Sequence, residues 1–256
     1  MLPLQDKVAV VTGASLPNGI GIAIAKRFAQ AGASILLVAE GTEAQLSERC
    51  EECRSVAQGG EIEAAMFDLS IPGSASSMIQ DAARRFKRVD ILVNNAALRV
   101  NKSFGDYDQA DFDKVVSVNL AAPFFASQAA LPLMRSQGGG RIIHIASQLG
   151  KVALEQRALY GLTKAGVLHL TKSMACELGR DGIIVNSISP GPISTQRALE
   201  RIRKEPALQA DLESAVPLGR SGEPEEIAEV ALFLATAAPS FLQGEDICVD
   251  GGYTAH

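Results

Sequence analysis

A chain of 256 residues with 47% hydrophobic side chains can bury a full core in one domain and is too apolar to stay disordered. Its net charge of −5, without any basic block, argues against nucleic acid as a partner. Four cysteines over this length make no disulfide framework, and the start Met1-Leu2-Pro3-Leu4-Gln5-Asp6 shows no charged segment followed by an apolar one, so neither a signal peptide nor a membrane span is expected and a reducing cytoplasm is the expected setting.

The first element is a buried strand at 8–11, followed by the glycine loop Thr12-Gly13-Ala14-Ser15-Leu16-Pro17-Asn18-Gly19-Ile20-Gly21 and a helix over 20–31. Ile20, Ile24, Phe28 and Ala31 recur at helical spacing and place an apolar stripe toward a sheet. Glycines let a backbone approach a pyrophosphate, and a helix N-terminus offers it free N–H groups and the positive end of a dipole. Strands are then expected at 34–39, 62–67, 91–93, 141–146, 183–188 and 246–249, with helices near 43–58, 74–87, 108–135, 156–178 and 224–236. Most of these strands are continuous apolar runs, which suits parallel strands covered on both faces. The alternation predicts a single α/β domain over 1–256: a Rossmann-type, doubly wound parallel sheet of seven strands flanked by helices. Between 191 and 222, Pro192, Pro206, Pro217, Gly219 and Gly222 interrupt a helical pattern, as expected of a substrate lid.

Cys50-Glu51-Glu52-Cys53 is a C-x-x-C, but it lies inside its helix among charged neighbours, and Cys176 and Cys248 form no second pair. The histidines, His144, His169 and His256, form no metal pattern, so no metal is expected.

Tyr160 and Lys164 stand one helical turn apart, with Ser147 upstream at a strand end. A phenol with a pKa near 10 is a poor proton shuttle at neutral pH, whereas an ammonium beside it favours the phenolate. At about 4 Å and an effective dielectric of about 20 that attraction is on the order of 4 kcal/mol, enough to bring a tyrosine near 7. Such a group can move a proton on or off an alcohol or carbonyl oxygen.

Ligands of doubly wound sheets bind at the carboxyl ends of the strands, here Gly13, Glu40, Asp68, Asn94-Asn95-Ala96-Ala97, Ser147 and Pro190-Gly191. With the Thr12-Gly13 loop, Asp68, Asn94-Asn95-Ala96, Asn119, Ser147, Tyr160 with Lys164, Pro190-Gly191 and Val249-Asp250-Gly251-Gly252 in order, the chain resembles the short-chain dehydrogenase/reductase superfamily from Lys7 to Tyr253. The resemblance implies hydride transfer between a nicotinamide cofactor and a secondary alcohol or ketone, with Tyr160 as general acid or base. It further implies that Ser147 holds the reacting oxygen, that Lys164 holds the ribose hydroxyls and lowers the Tyr160 pKa, and that Asn119 places a water linking Lys164 to solvent. Cofactor contacts are implied for Gly13, Ser15, Asn18, Gly19, Ile20, Gly21, Glu40, Asp68 (to the adenine amino group), Leu69, Asn95, Ala96, Tyr160, Lys164, Pro190 and Gly191, and for Ile193 and Thr195 at the carboxamide. A homotetramer is implied, through the helices near 108–135 and 156–178 and the C-terminal strand.

Three departures from the family pattern stand out. The glycine loop is two residues longer, with Leu16-Pro17 as the candidate insertion; Ala97 replaces a glycine; and Ala39 occupies the usual acidic position after the second strand, with Glu40 following. A carboxylate there takes ribose hydroxyls and repels a 2′-phosphate, so NAD is expected over NADP. Candidate substrate residues are Arg99, Val100, Gln148, Leu149, Leu154, Glu155, Arg157 and the lid from Ser194 to about Leu212; within it Arg197, Arg201, Arg203 and Lys204 are expected to solvate the outer face of a helix beside Glu200 and Glu205, with attraction of an anionic substrate as the alternative. Arg99 and Gln148 suit a sugar, polyol or hydroxy acid, while Leu149, Leu154 and Leu199 suit a steroid or acyl chain. A noncatalytic NAD-binding sensor is the alternative. A serine hydrolase fits poorly, because Ser147 lacks the Gly-x-Ser-x-Gly elbow.

Overall fold

Seven strands, β1 (Val8–Thr12), β2 (Ser34–Ala39), β3 (Ile62–Met66), β4 (Ile91–Asn94), β5 (Gly140–Ile145), β6 (Ile183–Pro190) and β7 (Asp246–Val249), pair in the order β3-β2-β1-β4-β5-β6-β7 in the computed structural model, which describes residues 1–205, 209–210 and 214–255. Every pairing is parallel, so each connection must cross over a face of the sheet. Strand β1 is buried along its whole length, as its unbroken apolar run requires. Ala9 and Val11 pack on one face with Ile35 and Leu37, against helices α1 (Ile20–Gln30) and α8 (Pro224–Ala235). Val10, Leu36 and Val38 pack on the other, with α3 (Ser74–Phe86), α5 (Ala122–Ser136) and α6 (Ala158–Leu178). The chain winds outward from β1 through β2 to β3, then returns to β4 on the opposite side of β1. That reversal opens the crevice between the carboxyl ends of β1 and β4 in which such sheets bind ligands.

Two helices beside this crevice begin differently. Helix α2 (Glu43–Arg54) is closed by a capping box in which Thr42 and Gln45 satisfy each other's backbone N–H groups. Helix α1 follows Gly19 with no side-chain cap, so its first N–H groups face the crevice unsatisfied by any side chain. In α2 the charged neighbours mask an inward stripe: Leu46, Cys50 and Cys53 are buried, and burial pushes the Cys53 thiol up to about 12. The C-x-x-C is therefore part of the core, where the charged sequence around it suggests a solvated helix.

The helix expected over 108–135 is not continuous. Helix α4 (Gln109–Val116) gives way to a π-helical turn over Ser117–Ala121 before α5 resumes. The extra residue in this turn rotates Asn119 into the interior, where it is 1% exposed. Residues 109–136 are also long and apolar enough, by length and composition, to cross a membrane. In this fold the stretch packs against α3 and α6 and carries Pro123 and Pro132. The next helix after β6, α7 (Gln196–Lys204), begins the region expected as a lid; residues 206–208 and 211–213, Pro206 and Leu212 among them, and His256 lie outside the described residues.

Candidate active site

Gly13 adopts φ +71°, and a Cβ there would stand 2.7 Å from the Ala96 Cα, so only glycine lets the loop after β1 meet the end of β4. Asn95 locks this junction: its amide donates to the Thr12 and Gly13 carbonyls at 2.8 and 3.1 Å, while the Thr12 hydroxyl accepts from the Asn95 and Ala96 N–H groups. Gly21 sits against the same amide, with 2.6 Å between its would-be Cβ and Asn95 Nδ2. The first and last glycines of the loop thus serve its own packing, and the first, Gly13, also lines a cavity of about 520 Å³.

That cavity is lined by Gly13, Ser15, Gly19, Ile20, Glu40, Asp68, Leu69, Asn95, Ala96 and Thr195 from the expected cofactor set, with Ala97 among the walls. Asp68 accepts from both the N–H and the hydroxyl of Ser70, which hold its carboxyl below the usual range and keep it an acceptor. Gln45 and Lys114 line it as well. Both were missed in the sequence, because they come from helices α2 and α4 whose local pattern says nothing of a ligand. Arg197, expected on a solvated helix face, lines this cavity. Glycines at the loop, an uncapped helix start and acceptors at the far wall together fit a dinucleotide.

The lengthened loop resolves into a bridge. Asn18 takes a left-handed φ of 49°, its amide donates to the Ser194 carbonyl at 2.8 Å, and its own carbonyl accepts from Gln196 N–H at 3.2 Å. Asn18 is therefore bound to the segment that follows β6 rather than offered to the cavity. Gly21, Pro190, Gly191 and Ile193 also lie outside the cavity walls. Gly191 N–H donates to Val249, and a Cβ at Gly191 would lie 2.6 Å from Asp250 Cα. Ile193 pairs with Gly222 by a parallel bridge and buries its side chain in the core, leaving its backbone as what it can present to a ligand.

The catalytic candidates gather at the carboxyl end of β5 and on the first turns of α6. Tyr160 is 7% exposed and Lys164 3% exposed, with the ammonium 5.7 Å from the phenol ring centroid. Burial raises the phenol pKa, but the Lys164 and Arg99 charges, with Arg99 and Ser147 as polar neighbours of its hydroxyl, outweigh it and hold the value below 10. Burial is also the largest influence on Lys164, lowering its pKa against the opposing pull of Tyr160. Lys164 Nζ donates to the Ile145 carbonyl at 2.6 Å, which fixes the ammonium beneath the tyrosine. Ser147 is the N-cap of a short helical turn and accepts from Leu149 N–H at 3.1 Å, leaving its own O–H free to donate.

Asn119 is held through its side chain: its amide donates to the Leu98 carbonyl and the Thr163 hydroxyl, and its oxygen accepts from Leu98 N–H. The side chain thus ties the segment after β4 to α6. Behind the trio lies His144, fully buried, with Nδ1 3.2 Å from the Asn94 amide; burial and the Lys164 charge push its pKa down to about 3, so it is neutral.

Among the substrate candidates, Arg99 is brought to the tyrosine, its guanidinium 4.5 Å from the ring centroid. Gln148 is buried near Gly191 with its oxygen unpartnered, and Leu149 is buried under α6. Leu154 and Glu155 sit exposed on the turn before α6. No cluster of three or more metal-ligating side chains occurs among the described residues.

A dinucleotide crevice at the carboxyl ends of β1 and β4, together with a buried phenol, ammonium and hydroxyl at the end of β5 and the start of α6, defines the class: an oxidoreductase working on an alcohol or carbonyl through a bound nicotinamide. A family model described as enoyl-(acyl carrier protein) reductase matches residues 13–254. The chain is 37% identical over 250 residues to a 3α-hydroxysteroid dehydrogenase of Mediterraneibacter gnavus, with 97% of each chain covered. It is 34% identical to a tropinone reductase homolog of Arabidopsis thaliana, covering 99% of this chain and 94% of that one. A solved structure of a candidate 2-deoxy-D-gluconate 3-dehydrogenase from Agrobacterium tumefaciens with NADP bound superposes with a TM-score of 0.89 at 34% identity, covering 100% of this chain and 99% of that one. The chain belongs to the short-chain dehydrogenase/reductase superfamily.

Proposed function

We propose that Tyr160 is the proton donor in carbonyl reduction and the acceptor in alcohol oxidation, with the buried Tyr160–Lys164 contact beside Ser147 as the observation that carries the reading. When bound, the nicotinamide supplies or takes the hydride. Ser147 donates to the substrate oxygen and holds it against the phenol. Lys164, anchored on the Ile145 carbonyl, keeps the phenolate accessible near neutral pH and orients the ribose. Asn119 acts as a positioning residue by holding the Leu98 segment against α6. Removal of the Tyr160 hydroxyl is the direct test, since a sensor of the same fold would bind cofactor and show no turnover that depends on it.

The cofactor is NAD in preference to NADP. Glu40 is exposed at the cavity wall beside Gly41, where a carboxylate suits the two ribose hydroxyls and repels a 2′-phosphate. Arg197 and Lys114 line the same cavity and would favour the pyrophosphate. NADH is expected to bind about tenfold tighter than NADPH, and Glu40→Ala to bring the two to parity, the size expected for one partly screened charge. Equal or tighter binding of NADPH by the unaltered protein would contradict the assignment.

The assembly is a homotetramer in the cytoplasm, with residues 191–222 acting as the lid of a single catalytic domain. Exposed Phe112, Phe124 and Phe125 on α4 and α5, and Leu162 on α6, support a helix-mediated interface. Light scattering is expected to give four masses of the 26.9 kDa chain, and a monomer alone would overturn this.

A further inference from the structure

Two arginines flank the start of α6 with no carboxylate paired to either among the described residues. Arg157 is the N-cap residue of α6 and is 7% exposed. Among the described residues its side chain makes one hydrogen bond, from Nη1 to the Gln156 carbonyl at 3.0 Å, and pairs with no carboxylate. Buried charges are normally paired, because an unpaired ion in the interior loses its hydration without return. This fold follows that rule elsewhere: the equally buried Arg49 has Glu48 at 3.1 Å and Glu52 at 2.9 Å.

Arg99 stands over the Tyr160 ring at 4.5 Å and likewise has no ion pair among the described residues. The two arginines feel each other: after burial, the charge of Arg99 is the largest influence lowering the Arg157 pKa, followed by Arg201. Their approach is also tied in place. Tyr107 reaches both segments, its hydroxyl placed to donate to the Val100 carbonyl at 3.2 Å and to the Gln156 carbonyl at 3.4 Å. Arg201, on α7, has Glu205 at 3.8 Å and needs no further partner.

We propose that Arg99 and Arg157 form a carboxylate site at the start of α6, so that the substrate is a hydroxy acid or oxo acid whose reacting carbon faces Tyr160. The inference rests on the dehydrogenase reading and narrows it from alcohols in general to anionic ones. Guanidinium groups match a carboxylate by paired N–H donors, and the uncapped first turn of α6 adds its own positive end. The carboxylate relieves the repulsion between the two cations and fixes the distance from the anion to the reacting carbon. A neutral sterol or simple alcohol gains neither effect.

The test uses the whole protein saturated with NADH and a series of oxo acids with one to four carbons between carbonyl and carboxylate, each beside its methyl ester. Affinity is read from the fluorescence of bound NADH, and reduction from the loss of its absorbance. At least one acid is expected to bind at least tenfold tighter than its ester. Arg99→Gln, a change at an exposed position, should abolish that preference with NADH affinity unchanged, and Arg157→Gln should do the same if the variant keeps wild-type NADH affinity. Esters equal to acids across the series would overturn the proposal, as would an acid preference that survives Arg99→Gln. The two readings fail separately: Tyr160-dependent turnover of neutral alcohols with no acid preference removes the carboxylate site alone, whereas arginine-dependent acid binding without any hydride transfer supports the site and removes the dehydrogenase reading.

Discussion

Tyr160→Phe is expected to lower turnover about 10³-fold while NADH binds as it does to the unaltered protein, because general acid–base catalysis by one positioned group is worth about 10²–10⁴. The substitution removes a single oxygen from a buried ring packed beneath Arg99, so the fold and the cofactor crevice are left in place. Steady-state kinetics and NADH titration of the same preparation separate the two effects. A variant that keeps near-wild-type turnover would remove Tyr160 from the chemistry, and one that also loses NADH binding would show the change to be structural.

Lys164→Met should shift the pH profile as well as the rate. In alcohol oxidation the phenolate is the base, so the unaltered enzyme gains activity with rising pH through an inflection below 10; ketone reduction needs the phenol and falls through the same inflection. Without the ammonium, burial weighs more and the inflection moves upward, with Arg99 and Ser147 left to oppose it. A charge 5.7 Å from the ring centroid at an effective dielectric of about 20 favours the phenolate by about 3 kcal/mol. Oxidation at neutral pH is therefore expected to fall about 100-fold, with part of the loss recovered by raising the pH. A uniform loss with an unmoved inflection would assign Lys164 to ribose binding alone.

The sheet was legible because its strands are continuous apolar runs, a pattern that only a doubly covered parallel sheet produces over so many segments. The strand ends named the crevice, since topology places them on one side whatever the loops do. Contacts between distant segments were not legible. Asn18 meets Ser194 across 176 residues, and nothing in the glycine loop's own composition aims Asn18 at the segment after β6. The π turn was hidden because 109–136 keeps its apolar character through it, although Asn119 within an apolar helix was a mark of something unusual. The inward cysteines had a signal that charge obscured: Leu46, Cys50 and Cys53 recur at helical spacing. Arg99 and Arg157 each stood out as substrate candidates, but the placing of Arg99 over Tyr160 depends on the fold, and Tyr107 holds the two arginines' segments together.

The most direct measurement presents the purified protein and NAD⁺ with hydroxy acids, sugar acids, sugars, secondary alcohols, sterols and 3-hydroxyacyl thioesters while the nicotinamide absorbance is followed. The structure predicts a rise in reduced nicotinamide with at least one class, lost in the Tyr160→Phe protein. NADH binding without turnover of any class would contradict the central claim and favour a cofactor-binding sensor.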